Sequence, residues 1–152
     1  MDFVGAKAAL FCGSGLLTCQ RDETPGLRWP GLWDLPGGGR EGLESPEDCL
    51  LRELWEEFGL RLTPDRLVRR RVFPSMVEAA RTSVFFGGWV TQAEVASIRF
   101  GDEGQGWDLM PVVDFLSHHK AVPEMQRRVG IVWEEMVEMR GPDRSSASND
   151  QD

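Results

Sequence analysis

Histidine and cysteine, the side chains that hold zinc, are scarce in this chain of 152 residues: two of the first and three of the second. His118 and His119 are adjacent, and neighbours on a helix point about 100° apart, so they do not make a metal pair. Cys12, Cys19 and Cys49 are odd in number and lack metal-type spacing, which leaves reduced thiols that serve packing rather than a disulfide framework. No apolar run approaches about 18 residues, and Met1 to Lys7 has neither a basic segment nor a long apolar one. A cytoplasmic chain with no membrane partner is therefore expected. Positive charge is also short. Seventeen Lys and Arg against 25 Asp and Glu give a net charge of −8, which argues against a nucleic-acid polymer as partner because phosphate backbones are bound mainly by Lys and Arg. A small polyphosphate neutralised by metal remains admissible. With no repeats and no linker, one domain over residues 1–140 is expected, able to bury about two-thirds of its surface. Residues 141–152, rich in Ser, Asp, Gly and Pro, read as a disordered tail. A monomer and a homodimer are equally compatible.

What the chain does have is glutamate at fixed places. Gly38 is followed after five residues by Glu44, and after seven more by Arg52-Glu53-Leu54-Trp55-Glu56-Glu57-Phe58-Gly59-Leu60. Seven matched positions and two apolar ones arise by chance at odds on the order of 10^-7 when each residue type is used at about 7%. Ser45 is a helix cap, Pro46 suits the first turn, Asp48 favours the positive end of the dipole, and Gly59 closes the helix with a positive φ. At about 100° per residue, Leu50, Leu51, Leu54, Trp55 and Phe58 form a packing stripe, with Glu53, Glu56 and Glu57 roughly 140° away. Those three stand at i, i+3 and i+4, so their carboxylates repel unless a cation or an arginine sits among them, and Arg52 is placed to orient one. Leu35-Pro36-Gly37-Gly38-Gly39 lets backbone approach a ligand and offers carbonyl oxygen. An oxygen-only ligand set points to magnesium or manganese rather than zinc.

This pattern resembles the Nudix box, the signature of hydrolases that cleave a nucleoside diphosphate linked to another group. The resemblance implies an α/β fold, a mixed sheet between helices, over most of residues 5–140. It also implies a metal held by the Gly38 backbone oxygen, Glu53, Glu57 and Glu56. Outside the box, Gly101-Asp102-Glu103-Gly104-Gln105 before Trp107 resembles the loop that brings a further glutamate to the metal in MutT-type nucleoside triphosphate hydrolases, which makes Glu103 a candidate ligand. Arg21, with Gly37 and Gly38, is the candidate substrate-phosphate contact by the same resemblance. Ser, His and Asp form no nucleophile elbow, so water is the expected nucleophile, with Glu56 or Glu103 as its proton acceptor. The expected reaction is nucleoside triphosphate to monophosphate plus pyrophosphate. Nucleotide sugars, dinucleoside polyphosphates and ADP-ribose are alternative substrates that would leave the box unchanged; a non-catalytic binding module would show a degraded box.

The bacterial MutT-type enzymes read oxidised guanine with an asparagine near the end of the domain. Asn149 is the sole asparagine here, in the expected tail, and His118 to Pro123 offers no amide; the paired aspartates of the animal enzymes are missing between Trp107 and Pro123. Broad base specificity is expected. Trp33, Phe85, Phe86 and Trp107 are alternatives for base stacking or for core. For the remaining architecture, composition predicts strands over 7–12, 16–21, 33–35, 67–73, 83–90 and 98–100, and helices over 112–118 and 123–140.

Overall fold

A computed structural model describes residues 2–140, and the tail expected over 141–152 lies outside them. Strands β1 (Phe3–Cys12) and β2 (Gly15–Gln20) make the expected hairpin around Gly13-Ser14, where Gly13 takes φ 57°. Short β3 (Trp33–Asp34) pairs with β2, and β4 (Gly37–Gly39) pairs with β1. Helix α1 (Pro46–Phe58) follows, then β5 (Arg69–Pro74), β6 (Thr82–Trp89), α2 (Gln92–Ala96), β7 (Gly106–Pro111), α3 (Val112–Ser117) and α4 (Pro123–Arg140). The seven-stranded sheet has the order β3-β2-β1-β6-β5, with β4 on β1 and β7 on β2. β1 and β6 run parallel and the other pairs antiparallel, so the sheet is mixed.

Period-two alternation along β1 and β6 builds two cores. Ala8, Leu10, Val84 and Phe86 pack with Leu50, Leu54 and Phe58 of α1. Ala9, Phe11 and Phe85 pack with Phe115 of α3 and Met125, Val129, Val132 and Met136 of α4. The result is the α/β arrangement expected, a mixed sheet sandwiched between helices. No helix among the described residues is long and apolar enough to cross a membrane.

The structure departs from the expected architecture in several places. Residues 98–100 are not a strand: the Arg99 amide donates to Phe58 O at 2.9 Å and the Gly101 amide to Glu57 O at 2.8 Å, so this segment satisfies the last carbonyls of α1 instead of a ladder. The strand lies at β7, where Gly106, Asp108 and Pro111 read as loop residues although Trp107 and Leu109 alternate inward with them. Helix α2 also escaped the sequence reading; it is one short helix opened by a capping box between Thr91 and Glu94. Finally, Trp55 does not complete the packing stripe of α1. The residue is 47% exposed and its ring lies under the Arg61 guanidinium at 3.9 Å, while Cys49 is buried instead.

Candidate active site

Helix α1 begins as its sequence dictates. The Ser45 hydroxyl accepts the Asp48 amide at 3.1 Å, Pro46 occupies the first turn, and Gly59 ends the helix at φ 65° with its amide on Trp55 O. This registers Glu53 and Glu57, one turn apart, against β4 along the wall of a cleft of about 1050 Å³. The contact is close because glycine permits it. A Cβ on Gly38 would overlap the Glu53 carboxylate, and Gly37, at φ 130°, has no room for one beside Ala6 O and Lys7. The Gly37 amide donates to Glu57 Oε1 at 2.9 Å, and the Gly38 carbonyl accepts the Cys49 thiol at 3.6 Å.

Arg52 organises the outer side. Its guanidinium donates to Glu44 Oε2 at 2.6 Å and Oε1 at 3.1 Å, to Gly39 O at 2.9 Å, to Glu53 Oε1 at 2.9 Å and to Glu56 Oε1 at 3.0 Å. Arg52 thus lies among the glutamates that the spacing brings together and holds the carboxyl of Glu44 below its ordinary range. Glu53 is raised, chiefly by burial, which outweighs Arg52. Burial also pushes Glu57 up to about 7; Lys7 and the Gly37 amide oppose the rise, and Glu53 and Asp34 add to it.

The candidate site residues are distributed as follows. Arg21, Gly37, Gly38, Glu53, Glu57 and Glu103 all line the cleft. Glu56 is half exposed, paired with Arg52, and outside the cleft lining. Glu103 is exposed on a loop tied to the second strand, where the Gln105 amide donates to Gln20 O at 2.8 Å and its side chain to Arg21 O at 2.9 Å. Of the proposed stacking aromatics, none lines the cleft; Phe85 and Phe86 are fully buried on opposite faces of β6, and Phe3 and Phe100 line the cleft instead.

Sequence reasoning missed Lys7 and Asp34, which also line it. The Lys7 ammonium donates to Asp34 Oδ2 and to Leu35 O, both at 3.2 Å, and Arg21 reaches the same Oδ2 at 3.1 Å. The available signal was a lysine inside the apolar run Ala6-Lys7-Ala8-Ala9, where a charge is costly without a partner. Burial lowers the pKa of Lys7, but Asp34, Cys19 and Glu57 together outweigh it and hold the ammonium above its ordinary value.

Among the described residues, no three His, Cys, Asp or Glu side chains converge tightly enough to enclose an ion on their own. Glu53 and Glu57 nonetheless form an oxygen-only, partly desolvated pair with raised pKa values, set against the Gly37-Gly38 backbone. That donor set fits a hard divalent cation that takes its remaining oxygens from water and substrate phosphate.

A model of the NUDIX domain matches residues 3–129. The chain is 54% identical over 33 residues to an 8-oxo-dGTP diphosphatase of Proteus vulgaris, covering 22% of this chain and 30% of that one. It is 29% identical over 100 residues to human diphosphoinositol polyphosphate phosphohydrolase 2, covering 62% and 53%. The match therefore spans about a third to a half of the length of these curated relatives. Among solved structures, a MutT protein from Methanosarcina mazei superposes with a TM-score of 0.70 at 22% identity, over 88% of this chain and 95% of the other, a likeness of fold. With the family model extending over most of its length, the chain belongs to the NUDIX domain family.

Proposed function

We propose that this chain is a divalent-metal-dependent pyrophosphohydrolase, with nucleoside triphosphate to monophosphate plus pyrophosphate as its leading reaction. The observation that supports it most is the seating of Glu53 and Glu57 against the glycine backbone on the wall of a cleft large enough for a nucleotide. Glu53, Glu57 and the Gly38 carbonyl would hold the metal, with Glu56 and Glu103 as further oxygen donors. When bound, magnesium or manganese supplies charge neutralisation at the diphosphate and acidifies water for attack on phosphorus. Arg52 orients Glu53 and Glu56, and the Gly37 amide orients Glu57. Glu103, which lines the cleft, is favoured over the outward Glu56 as proton acceptor. Arg21 and the Gly37-Gly38 backbone contact substrate phosphate.

The likeness over 100 residues to a protein named a diphosphoinositol polyphosphate phosphohydrolase supports a second reading, in which the substrate is a phosphorylated diphosphate without a base. A screen with magnesium separates the readings: nucleoside triphosphates, ADP-ribose, a nucleotide sugar, a dinucleoside polyphosphate and a diphosphoinositol compound, with products identified. Release of pyrophosphate and nucleoside monophosphate, abolished by chelator and restored by magnesium or manganese, is expected. No hydrolysis of any member would refute the proposal.

A further inference from the structure

We propose that Lys7 is a ligand for substrate phosphate and that Asp34 is its positioning residue. The inference rests on the reading above of a polyphosphate substrate. Lys7 sits in β1 directly opposite Gly37 of β4, and the Gly37 amide is the one that holds Glu57. Cross-strand partners lie about 4.5–5.5 Å apart. A phosphate chain joined to Glu53 and Glu57 through the divalent cation of that reading, and lying along the glycine backbone, therefore comes beside the lysine opposite Gly37.

The charges point the same way. The Asp34 carboxylate is 4% exposed and receives the Leu35 amide at 2.7 Å, the Lys7 ammonium and the Arg21 guanidinium. One anion faces two cations. Arg21 alone would neutralise Asp34, so the cluster carries one positive charge more than a structural pair requires. Arg52 pairs Glu44, Glu53 and Glu56, and a divalent cation occupies Glu53 and Glu57 in the reading above, so Asp34, shared with Arg21, is the carboxylate that the Lys7 ammonium touches. An ammonium has three donors, and two of those on Lys7 are taken by Asp34 and Leu35. No described residue takes the third, while the side chain, 25% exposed, lines the cleft. Fixing two of the three donors aims a compact charge, the form in which lysine binds phosphate.

The test is calorimetric binding of inorganic tripolyphosphate in magnesium to the full chain, a probe independent of which base is taken. Lys7→Met should bind about 10- to 100-fold more weakly than wild type, the scale of one charge-assisted hydrogen bond. Lys7→Arg should recover most of the affinity, and thermal melts should show both variants folded. Lys7→Gln, which retains a donor for Asp34 without charge, is the alternative if Lys7→Met does not fold, and should show the same weakening. Asp34→Asn should weaken binding less, and Lys7→Met/Asp34→Asn no more than Lys7→Met, because Asp34 acts through the lysine. Wild-type affinity in a folded Lys7→Met or Lys7→Gln variant overturns the inference, as does a wild type that does not bind tripolyphosphate. A wild type that binds it through Lys7 yet hydrolyses nothing in the substrate screen overturns the proposed function and leaves this role standing.

Discussion

Replacing Glu57 by glutamine should stabilise the metal-free protein while destroying its activity. The glutamate is held in the cleft wall where burial raises its carboxyl from 4.5 to about 7. A tenfold change in proton affinity is worth about 1.4 kcal/mol, so ionising this group in the folded state costs about 3 kcal/mol more than in the unfolded chain. Below pH 4.5 both states keep the proton and the group contributes no penalty. Between 4.5 and about 7 the unfolded chain gives up its proton first, and the native state loses stability as pH rises. Above about 7 the penalty is complete. The substituted glutamine would carry no charge, and its amide oxygen can still accept the Gly37 amide, so the local geometry survives. For a domain of this size about 3 kcal/mol corresponds to roughly 10 °C in Tm. Thermal melts in chelator at about pH 5 and about pH 8, on either side of the titration, measure it: the variant should exceed wild type by about that margin at the higher pH and by little at the lower. Adding magnesium at the higher pH should raise wild type far more than the variant, because the cation favours the ionised form. A variant no more stable than wild type at the higher pH, or equally advantaged at both, would refute the electrostatic argument.

Glu53→Gln should lower kcat by about 10^2 to 10^4 with the fold retained, on the scale of a metal-linked or acid–base contribution; kcat near wild type would return the helix to an ordinary acidic face. Glu103→Gln should lower kcat across a magnesium titration, and an unchanged kcat would leave Glu56 as the favoured proton acceptor. Oxidised and ordinary guanine deoxynucleotides should differ in kcat/KM by less than about 100-fold, because His118 to Pro123 carries no carboxamide and no adjacent aspartates stand between Trp107 and Pro123. A preference of several thousand-fold would show that other groups in the cleft read the base.

The parts of the site that sequence made legible are those written locally. Ser45, Pro46 and Gly59 fix the ends of α1, and a helix so registered carries Glu53 and Glu57 with it. The glycine run before it announced a close backbone approach, which Gly37 and Gly38 make. Groups gathered from distant segments were not legible. Asp34 meets Lys7 across 27 residues and Arg21 across 13, through pairings of β1, β2, β3 and β4 that no short-range spacing encodes. Residues 98–100 misled because β-branched and aromatic character indicates burial, and burial here is against the end of a helix. The strand β7 was obscured by glycine and proline at its ends, positions that an edge strand tolerates. Glu56 shows the limit of helical arithmetic: three glutamates share a broad face, yet Glu53 and Glu57 line the cleft while Glu56, held by the same arginine as Glu53, is half exposed outside it.

The segment that closes α1 also has a mechanical meaning. Arg99 and Gly101 cap the final carbonyls of the helix that bears Glu53 and Glu57, and Gly101 lies so near Glu56 O that a Cβ there would come within 2.6 Å of it. Glu103 follows two residues later. The Glu103 loop thus springs from the same turn that carries Glu57, and its far end is fastened through Gly104 and Gln105 to Asp22, Gln20 and Arg21, so the backbone suspends it between the helix and the strand that meet at the cleft.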